Sequence, residues 1–358
     1  MDAQLSHILS RFQLAGNPIS CQRYGFGHIN VTYLVVTDRG IRYILQKIND
    51  HVFPDVPGLQ QNIAAVTGYL RQQTAERYGV LTLIPTTEGE DHYHAPNGKT
   101  WRVYEFIEDG ICLEAAETPY DFYQAAIAFG TFQQQLNDFP AETLHETIPL
   151  FHNTPNRYKQ LREVLERDPL GRAKDVQEEI AFALAREEQA GQLIRMLEAG
   201  ELPLRVTHND TKLNNVMFRA SDRTPLCVMD LDTTMPGLSA YDFGDAIRFG
   251  ASTAAEDEKD LNLVRMDLEL FRLFTKGYLE ACPGLTPKEV EVLPLAAFTM
   301  TLECGIRFLT DYIDGDNYFS IHYPEQNLDR CHTQFKLVAD MEKKWEKMEA
   351  IVATRGMK

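Results

Sequence analysis

One short stretch of the sequence carries several side chains suited to act together on a phosphate. Residues 206–217 read Val-Thr-His-Asn-Asp-Thr-Lys-Leu-Asn-Asn-Val-Met, which places a carboxylate at Asp210 and an amide at Asn215. A second carboxylate, Asp230, follows in the segment Val-Met-Asp-Leu-Asp. Phosphoryl transfer requires a carboxylate that orients the attacking hydroxyl and oxygen ligands for a Mg²⁺ ion on the phosphates. We therefore expect Asp210 to be the catalytic residue, and Asn215 and Asp230 to bind Mg²⁺.

The spacing of these residues matches the catalytic loop of kinases. In that loop the pattern His-x-Asp-x-x-x-x-Asn precedes a separate metal-binding Asp, and His208, Asp210, Asn215 and Asp230 follow it. A single loop aspartate is more often a turn or helix-capping residue. The joint pattern is much harder to obtain by coincidence. His208 is interpreted as a residue that holds the loop rather than as a proton carrier.

Three charged residues near this pattern allow more than one role. Lys212 would neutralise charge on the transferring phosphate, with a surface lysine as the alternative. Asp232 would either share the metal or accept backbone hydrogen bonds beside Asp230, and the sequence does not separate these options. Asp242 is interpreted as a buried anchor that hydrogen-bonds the catalytic loop, with a direct catalytic role as the alternative.

A glycine-containing turn and a β-hairpin precede this region. Gly25 and Gly27 lie in the turn, where a backbone without Cβ atoms can approach a triphosphate. The hairpin is predicted over residues 32–37 and 41–48, with Asp-Arg-Gly at its turn. Lys47 would contact the ATP phosphates from the second strand, or be a solvated strand-end lysine. Adjacent strand residues face opposite ways, so either Gln46 or Lys47 faces the phosphates, and the sequence leaves this open.

The remaining pattern predicts an α+β, two-lobed, protein-kinase-like fold. Residues 1–107 are expected to form a small β-rich, nucleotide-binding lobe, and residues 108–358 a larger, mostly helical lobe with the catalytic loop and the acceptor site. Adenine would be held by the connecting strand at Glu105, Phe106 and Ile107. Further predicted elements are a helix over 57–73, strands near 80–85 and 99–106, a helix capped by Thr118, a helix over 173–200, strands and loops over 204–243, and a loop over 314–324.

Composition restricts the class of partner. The chain has 358 residues and a formal net charge of −17, which disfavours a nucleic-acid or anionic membrane surface because both would be repelled. The six cysteines show no Cys-x-x-Cys spacing, and the first residues have neither a basic nor an apolar leader pattern. We expect a cytoplasmic protein with ATP and a small molecule as partners and no obligatory protein partner.

Longer motifs resemble the aminoglycoside phosphotransferase and choline kinase superfamily, and more closely the N-acetylhexosamine 1-kinases. They are Tyr-Gly-Phe-Gly-His-Ile-Asn at 24–30, Arg-Tyr-Ile-Leu-Gln at 42–46, the stretch 206–215, Asp-Leu-Asp-Thr at 230–233, Asp-Phe-Gly-Asp at 242–245, Ile-Arg-Phe-Gly-Ala-Ser at 247–252, and Glu-Cys-Gly-Ile-Arg-Phe-Leu at 303–309. The resemblance implies transfer of the γ-phosphate of ATP to the anomeric hydroxyl of N-acetylglucosamine or N-acetylgalactosamine. It also implies Mg²⁺ as cofactor and a sugar site that contains His28, Asp210, Arg307 and Tyr318.

Several alternatives stay open at this point. Arg307 would otherwise form a salt bridge with Glu303, one helical turn earlier, and Tyr318 and His28 would otherwise pack or cap a loop. No glutamate occurs near Ala64 and Ala65, where kinases place the partner of the strand lysine. The competing functions are a kinase of another small hydroxyl compound, such as a different sugar, an amino alcohol or homoserine, and a non-catalytic nucleotide-binding protein.

Overall fold

The computed structural model describes residues 2–25, 29–76 and 79–357. These residues form two compact units. The unit that we call the sheet unit comprises Met1–Ile111, Phe139–Pro149 and Met217–Met235, and the helical unit comprises Cys112–Asp138, Leu150–Val216 and Pro236–Lys358. The division differs from the predicted lobes 1–107 and 108–358, because Asp230 and its neighbours belong to the sheet unit.

The first part of the chain is rich in strands, and the later part consists mostly of helices. The strands are β1 (Pro18–Arg23), β2 (Val31–Thr37), β3 (Arg42–Lys47), β4 (Tyr93–His94), β5 (Thr100–Glu105), β6 (Gly110–Cys112), β7 (Arg205–Thr207), β8 (Val216–Arg219), β9 (Pro225–Val228) and β10 (Met235–Gly237). The helices are α1 (Ala3–Leu9), α2 (Val56–Gln73), α3 (Pro119–Gln135), α4 (Thr154–Arg167), α5 (Gln177–Leu184), α6 (Glu187–Ala190), α7 (Gln192–Glu198), α8 (Ser239–Gly250), α9 (Leu268–Ala281), α10 (Pro287–Glu291), α11 (Leu293–Asp314), α12 (Gln326–Lys343) and α13 (Trp345–Ala353).

An antiparallel sheet in the order β1-β2-β3-β5-β4 forms the sheet unit, with a smaller sheet of β6, β8 and β9. The predicted hairpin is confirmed as β2 and β3, and Gly40 at its turn has a φ of +74°, which glycine adopts without strain. One face of the sheet buries Val35, Leu45 and Val103 against Ile8 and Leu9 of α1. This apolar packing fixes which residues of β3 and β5 face the opposite side.

Two predicted elements differ in the structure. Residues 80–85 do not form a strand; they join β5 only through a bridge between Leu83 and Tyr104, and Pro85 has no N–H to continue a ladder. The helix predicted over 173–200 is divided into a 3₁₀ turn and the short helices α5, α6 and α7. Gly191 separates α6 from α7, where the conformational freedom of glycine disfavours a continuous helix.

The helical unit is organised around the long buried helix α11. It packs against α4, α8 and α12, and α3 packs against α9. The predicted start of α3 is confirmed, because Thr118 and Asp121 form a capping box ahead of the apolar face. In the described residues, no helix is both long and apolar enough to cross a membrane.

Helices α8 and α11 approach closely at Gly244. A Cβ atom at this position would lie 2.4 Å from the carbonyl oxygen of Ala296 and 2.6 Å from Cγ of Met300. Gly244→Ala is therefore expected to reduce the free energy of unfolding by about 1–3 kcal/mol, as measured by urea denaturation. The control is Gly68→Ala in α2, where a Cβ meets no atom within 4 Å; it should be neutral or stabilising by up to about 1 kcal/mol. Equal stability of the two variants would contradict the packing argument.

Candidate active site

The catalytic loop of the helical unit is held by one buried carboxylate. Asp242 on α8 accepts the backbone N–H of His208 at 2.9 Å and that of Asn209 at 2.8 Å, and Gln133 of α3 donates to it at 2.9 Å. Burial raises the pKa of the Asp242 carboxyl, although these donors and His208 oppose the rise. The prediction that Asp242 anchors the loop is confirmed by these contacts.

The loop residues on either side of Asp210, Asn209 and Thr211, are held by the local backbone conformation and by further hydrogen bonds. Asn209 has a φ of +66°, a left-handed conformation that asparagine tolerates better than most residues. Thr211 donates its backbone N–H to Asp245 at 3.0 Å and its hydroxyl to the carbonyl oxygen of Asp242 at 2.6 Å. His208 is fully buried and packs edge-on against Phe129 and Phe132. These contacts agree with a structural role for His208.

Asp210 lies between an ammonium and an amide. Lys212 Nζ is 2.9 Å from its Oδ1, Asn215 Nδ2 donates to its Oδ2 at 3.1 Å, and its side chain is 27% exposed. Partial burial favours the neutral acid, but Lys212, His208 and Asn215 outweigh it and hold the pKa of Asp210 below its ordinary value. Asp210 is therefore an oriented, ionised carboxylate that can still accept a hydrogen bond from a hydroxyl.

A buried histidine supports the loop from the opposite side. His152 lies between Glu303 of α11, 2.9 Å from Nδ1 to Oε1, and the carbonyl oxygen of Asn209, 3.2 Å from Nε2. Thr154 donates to the other oxygen of Glu303 at 2.7 Å. Burial alone would raise the pKa of Glu303, but His152, Arg157 and Thr154 lower it below the ordinary value. An ionised Glu303 thus links α11 to the residue that precedes Asp210.

In the sheet unit, the two aspartates of the Asp-Leu-Asp motif differ in exposure. Asp230 is exposed and has a φ of +54°, at the start of a 3₁₀ turn over Leu231–Thr233. The side chain of Asp232 is 3% exposed, forms an ion pair with Arg102 of β5 at 2.6 Å and accepts from Asn30. Of the roles that the sequence left open for Asp232, this placement favours an internal anchor over a metal ligand.

The two candidates on β3 lie on opposite faces of the sheet. Gln46 pairs with Arg102 across β3 and β5, and its Oε1 accepts from Arg102 Nε at 3.0 Å and Nη2 at 2.8 Å. Lys47 pairs with Trp101, which belongs to the apolar cluster that packs on α1. The residue on the same side as Asp232 is therefore Gln46, and Lys47 faces away from it. This geometry opposes the expected contact of Lys47 with the phosphates.

Part of the glycine turn lies outside the described residues. This applies to the predicted site residues Gly27 and His28. Gly25 has a φ of +72°, and a Cβ there would meet no atom within 4 Å. An open backbone at this point is compatible with the predicted approach of a phosphate.

The predicted adenine segment borders an apolar cluster of the sheet unit. Ile107 packs with buried Leu226 and Cys227 and with the partly buried side chains of Leu81, Met217 and Met229. Phe106 is covered by the guanidinium of Arg42 at 4.1 Å. The backbone N–H of Glu105 donates to Thr82 and that of Phe106 to Arg42, so both are engaged within the sheet unit. Ile107 thus belongs to a buried apolar cluster of the sheet unit, and its contact with adenine stays a prediction.

The predicted acceptor residues Arg307 and Tyr318 are brought together by the helical unit. The Arg307 guanidinium lies 5.3–5.7 Å from the ring centroids of Phe151, Tyr318 and Phe319, and its Nη2 is 3.5 Å from the Tyr318 hydroxyl. Glu303 is engaged by His152 and Thr154, and the described residues contain no ion pair between Glu303 and Arg307. A half-buried guanidinium among aromatic rings, beside a Tyr318 that is 66% exposed, can donate to an oxygen-rich ligand.

Asn215 and Asp230 each carry an oxygen of the kind that binds magnesium. The described residues contain no cluster of three or more His, Cys, Asp or Glu side chains that would hold a metal by themselves. Mg²⁺ on a nucleotide draws most ligands from phosphates and water and requires only one or two protein oxygens. Asp230 offers an exposed carboxylate, and Asn215 directs Nδ2 toward Asp210, which leaves its amide oxygen for another ligand.

Two buried residues of this region were not identified from the sequence. Arg102 interrupts the otherwise apolar pattern of β5, and this interior charge was a usable signal. His152 follows Phe151 in a segment without regular spacing, and its contact with Asn209 joins positions far apart in the chain. No local pattern indicates such a contact.

Comparison with known proteins agrees with this geometry. The phosphotransferase enzyme family (APH) matches residues 20–275. Among solved structures, the chain is similar to a microcompartment-associated aminopropanol kinase, with a TM-score of 0.67 and 18% identity over 97% of this chain and 99% of that one. It is also similar to an aminoglycoside phosphotransferase from Alicyclobacillus acidocaldarius, with a TM-score of 0.62 and 15% identity over 99% and 96% of the two chains.

A third similar structure is the amicoumacin kinase hAmiN in complex with AMP-PNP, Ca²⁺ and Ami, with a TM-score of 0.57 and 13% identity over 99% of this chain and 94% of that one. These likenesses confirm the predicted α+β, protein-kinase-like fold class. The family match spans more than half of the chain and includes Asp210, Asn215 and Asp230, whereas Arg307 and Tyr318 lie beyond it. The chain therefore belongs to the APH phosphotransferase enzyme family.

Proposed function

We propose that this protein transfers the γ-phosphoryl group of ATP, with Mg²⁺, to the anomeric hydroxyl of an N-acetylhexosamine, either N-acetylglucosamine or N-acetylgalactosamine. The observation that carries the proposal is Asp210, an ionised and partly exposed carboxylate in a loop whose neighbours are held by Asp242 and His152. The sugar 1-phosphate is the product. The choice of acceptor rests on the resemblance of the motifs to N-acetylhexosamine 1-kinases and on the chemistry around Arg307.

Asp210 would act mainly by positioning. Its carboxylate accepts the hydrogen bond of the attacking hydroxyl, the hydroxyl oxygen forms a bond to the γ-phosphorus, and the bond to the β–γ bridging oxygen breaks to release ADP. The proton of the hydroxyl passes to Asp210. Lys212 keeps Asp210 ionised and places a positive charge beside the reacting oxygens.

Several residues are proposed to contact the nucleotide. Asn215 and Asp230 are the proposed ligands of Mg²⁺, which offsets charge on the phosphates when it is bound. Gly25 and Gly27 are proposed to contact the phosphates through the backbone, and Ile107 and its apolar cluster to cover the adenine. The AMP-PNP and Ca²⁺ bound to a similar kinase support a nucleotide with a divalent cation as the partner of this fold.

The surroundings of Arg307 favour a neutral, oxygen-rich acceptor. A second guanidinium, Arg157, lies close enough for Arg307 to oppose its charge, and burial together with this repulsion lowers the pKa of Arg157. An ammonium compound such as the aminopropanol named for a similar kinase would be repelled here. A sugar offers hydroxyl and carbonyl acceptors to Arg307 and a ring face to Tyr318. His28 is proposed as a further sugar contact on the resemblance alone.

An acceptor panel tests the proposal. ADP release should be rapid with N-acetylglucosamine or N-acetylgalactosamine and absent with the methyl 1-glycoside of the same sugar, which lacks the anomeric hydroxyl. Phosphorus NMR should place the new phosphate on C1. Turnover with another sugar, an amino alcohol or homoserine and none with N-acetylhexosamines would support the competing kinase function. Thermal stabilisation by Mg·ATP without ADP release on any acceptor would support a non-catalytic nucleotide-binding protein.

Replacement of Asp210 tests its role in phosphoryl transfer separately from nucleotide binding. Asp210→Asn should lower kcat by about 100- to 10,000-fold, because the hydroxyl loses its charged acceptor, while Mg·ADP should stabilise the variant against heat as it does the wild type. Asp222→Asn removes an exposed loop carboxylate and serves as the matched control with unchanged kcat. Near-normal turnover of the Asp210 variant would refute the assignment.

The pH profile tests the pairing of Asp210 with Lys212. In the wild type the pKa of Asp210 lies below its ordinary value, so the carboxylate stays ionised until the pH falls well into the acid range. Lys212→Met removes the strongest cause of this lowering, and the pKa of Asp210 should rise. The acid limb of the kcat/KM profile should therefore move to higher pH, measured against Lys159→Met, which breaks an exposed pair with Glu163. An acid limb at the wild-type pH would contradict the pairing.

A further inference from the structure

The interior of the sheet unit contains a buried arginine, Arg102 of β5, whereas the sequence left the phosphate-facing position of β3 open between Gln46 and Lys47. Leu45 and Val103 direct one face of β3 and β5 toward α1, so Gln46 and its cross-strand partner Arg102 face the other side. Lys47 does not share that side. The cation beside the metal-binding motif is therefore carried by β5 and not by β3.

Arg102 joins three elements through its guanidinium. Nε and Nη2 donate to Gln46 of β3, Nη1 donates to Gln60 of α2 at 3.1 Å, and Nη2 lies 2.6 Å from Asp232. The residue is 1% exposed. A planar guanidinium fits several acceptors at once in a way that an ammonium cannot. Its donors are committed to protein acceptors, so a direct contact with ATP is not its role.

The turn that carries Asp230 is fastened by this network. Asp232 is bound by Arg102 and Asn30, and Asn62 of α2 donates to the carbonyl oxygen of Thr234 at 3.0 Å. Asp230 itself is exposed and in the left-handed conformation, which costs energy for a residue other than glycine. The anchors on Asp232 and Thr234 hold the backbone on the C-terminal side of Asp230.

We propose that Arg102 is a positioning residue that binds Asp232 and thereby fixes Asp230 as a metal ligand. The inference rests on the proposed use of Asp230 to bind Mg²⁺. Arg102 supplies a positive charge between Gln46 of β3 and Gln60 of α2, which accept its hydrogen bonds but carry no charge of their own. In this proposal Asp232 does not bind the metal with its own oxygens; it fixes the backbone that carries Asp230.

Mg²⁺ affinity in the presence of ADP, measured by titration calorimetry well below the unfolding temperature, tests this role. Arg102→Met should weaken the Mg²⁺ affinity by about tenfold or more, as loss of an orienting contact behind a ligand does in other metal sites. The matched control is Lys99→Met, which removes an exposed cation paired with Asp50 and should bind as the wild type does. If Asp232 were itself a ligand, release from Arg102 would leave the affinity unchanged or increase it, and that result would overturn the proposal.

The double variant Arg102→Met/Asp232→Asn separates positioning from folding. It leaves no unpaired buried charge, so its unfolding temperature should recover relative to Arg102→Met, while its Mg²⁺ affinity should stay about tenfold weak. If the unfolding temperature and the Mg²⁺ affinity both recovered, the Arg102–Asp232 ion pair would have only a structural role, and the proposal would be overturned. If Arg102→Met does not fold, Arg102→Lys is measured instead. We expect its Mg²⁺ affinity to be several-fold weaker than that of the wild type. A wild-type Mg²⁺ affinity in Arg102→Lys would overturn the proposal.

Asp230→Asn tests the underlying assignment separately. It should abolish the effect of Mg²⁺ on ADP binding while Arg102 and Asp232 remain paired. Wild-type Mg²⁺ affinity in this variant would refute Asp230 as a ligand, and with it the proposed function of the motif. Loss of affinity in Asp230→Asn together with wild-type affinity in the Arg102 variants would overturn only the role of Arg102.

Discussion

The candidate site depends on a buried carboxylate that must keep its hydrogen-bond donors. Asp242 is 1% exposed, and two of its donors are the backbone N–H groups of His208 and Asn209. If the loop moved, the carboxylate would lose donors in an environment without water, which costs several kcal/mol for a buried charge. The loop conformation, including the left-handed backbone of Asn209, is therefore coupled to the packing of α8. Asp210 inherits its direction from this coupling and from Asn215, and not from packing of its own side chain.

The sheet unit uses a related arrangement with a different counterion. Asp230 is exposed, and the buried carboxylate two residues later, Asp232, is compensated by a guanidinium instead of backbone N–H groups. Asp210 is partly exposed and Asp230 is exposed, and in each unit a buried aspartate, Asp242 or Asp232, is hydrogen-bonded or ion-paired nearby. Exposure and anchoring are thus provided by separate residues in each unit, so the proposed roles of Asp210 and Asp230 do not require either side chain to be buried.

The sequence predicted what depends on local pattern. The β2–β3 hairpin follows from its alternation and turn, the start of α3 from Thr118, and the anchoring role of Asp242 from its motif. It did not predict what depends on contacts between distant segments: the interruption of the helix over 173–200, the pairing of His152 with Asn209, or the face on which Lys47 lies. The face on which Lys47 lies depends on which side of the sheet α1 covers. Strand alternation alone predicts only that Gln46 and Lys47 lie on opposite faces. The sequence also left open a pair between Arg307 and Glu303, and the structure decides against it because His152, from a distant segment, engages Glu303.

The overall charge gives a final constraint on the proposed chemistry. A chain with a formal charge of −17 would repel ATP if distant charges acted fully, but at physiological salt they are screened beyond about 8 Å. Only charges close to the bound nucleotide then affect its binding free energy appreciably. Arg102 is committed to Asp232, Lys47 faces the side of the sheet that packs on α1, and Lys212 is partly offset by Asp210. Two of these three cations are paired with carboxylates, and the third lies on the opposite face of the sheet from Arg102. We infer that the bound divalent ion supplies most of the charge that offsets the phosphates, so binding should depend more on the ion than on any single lysine.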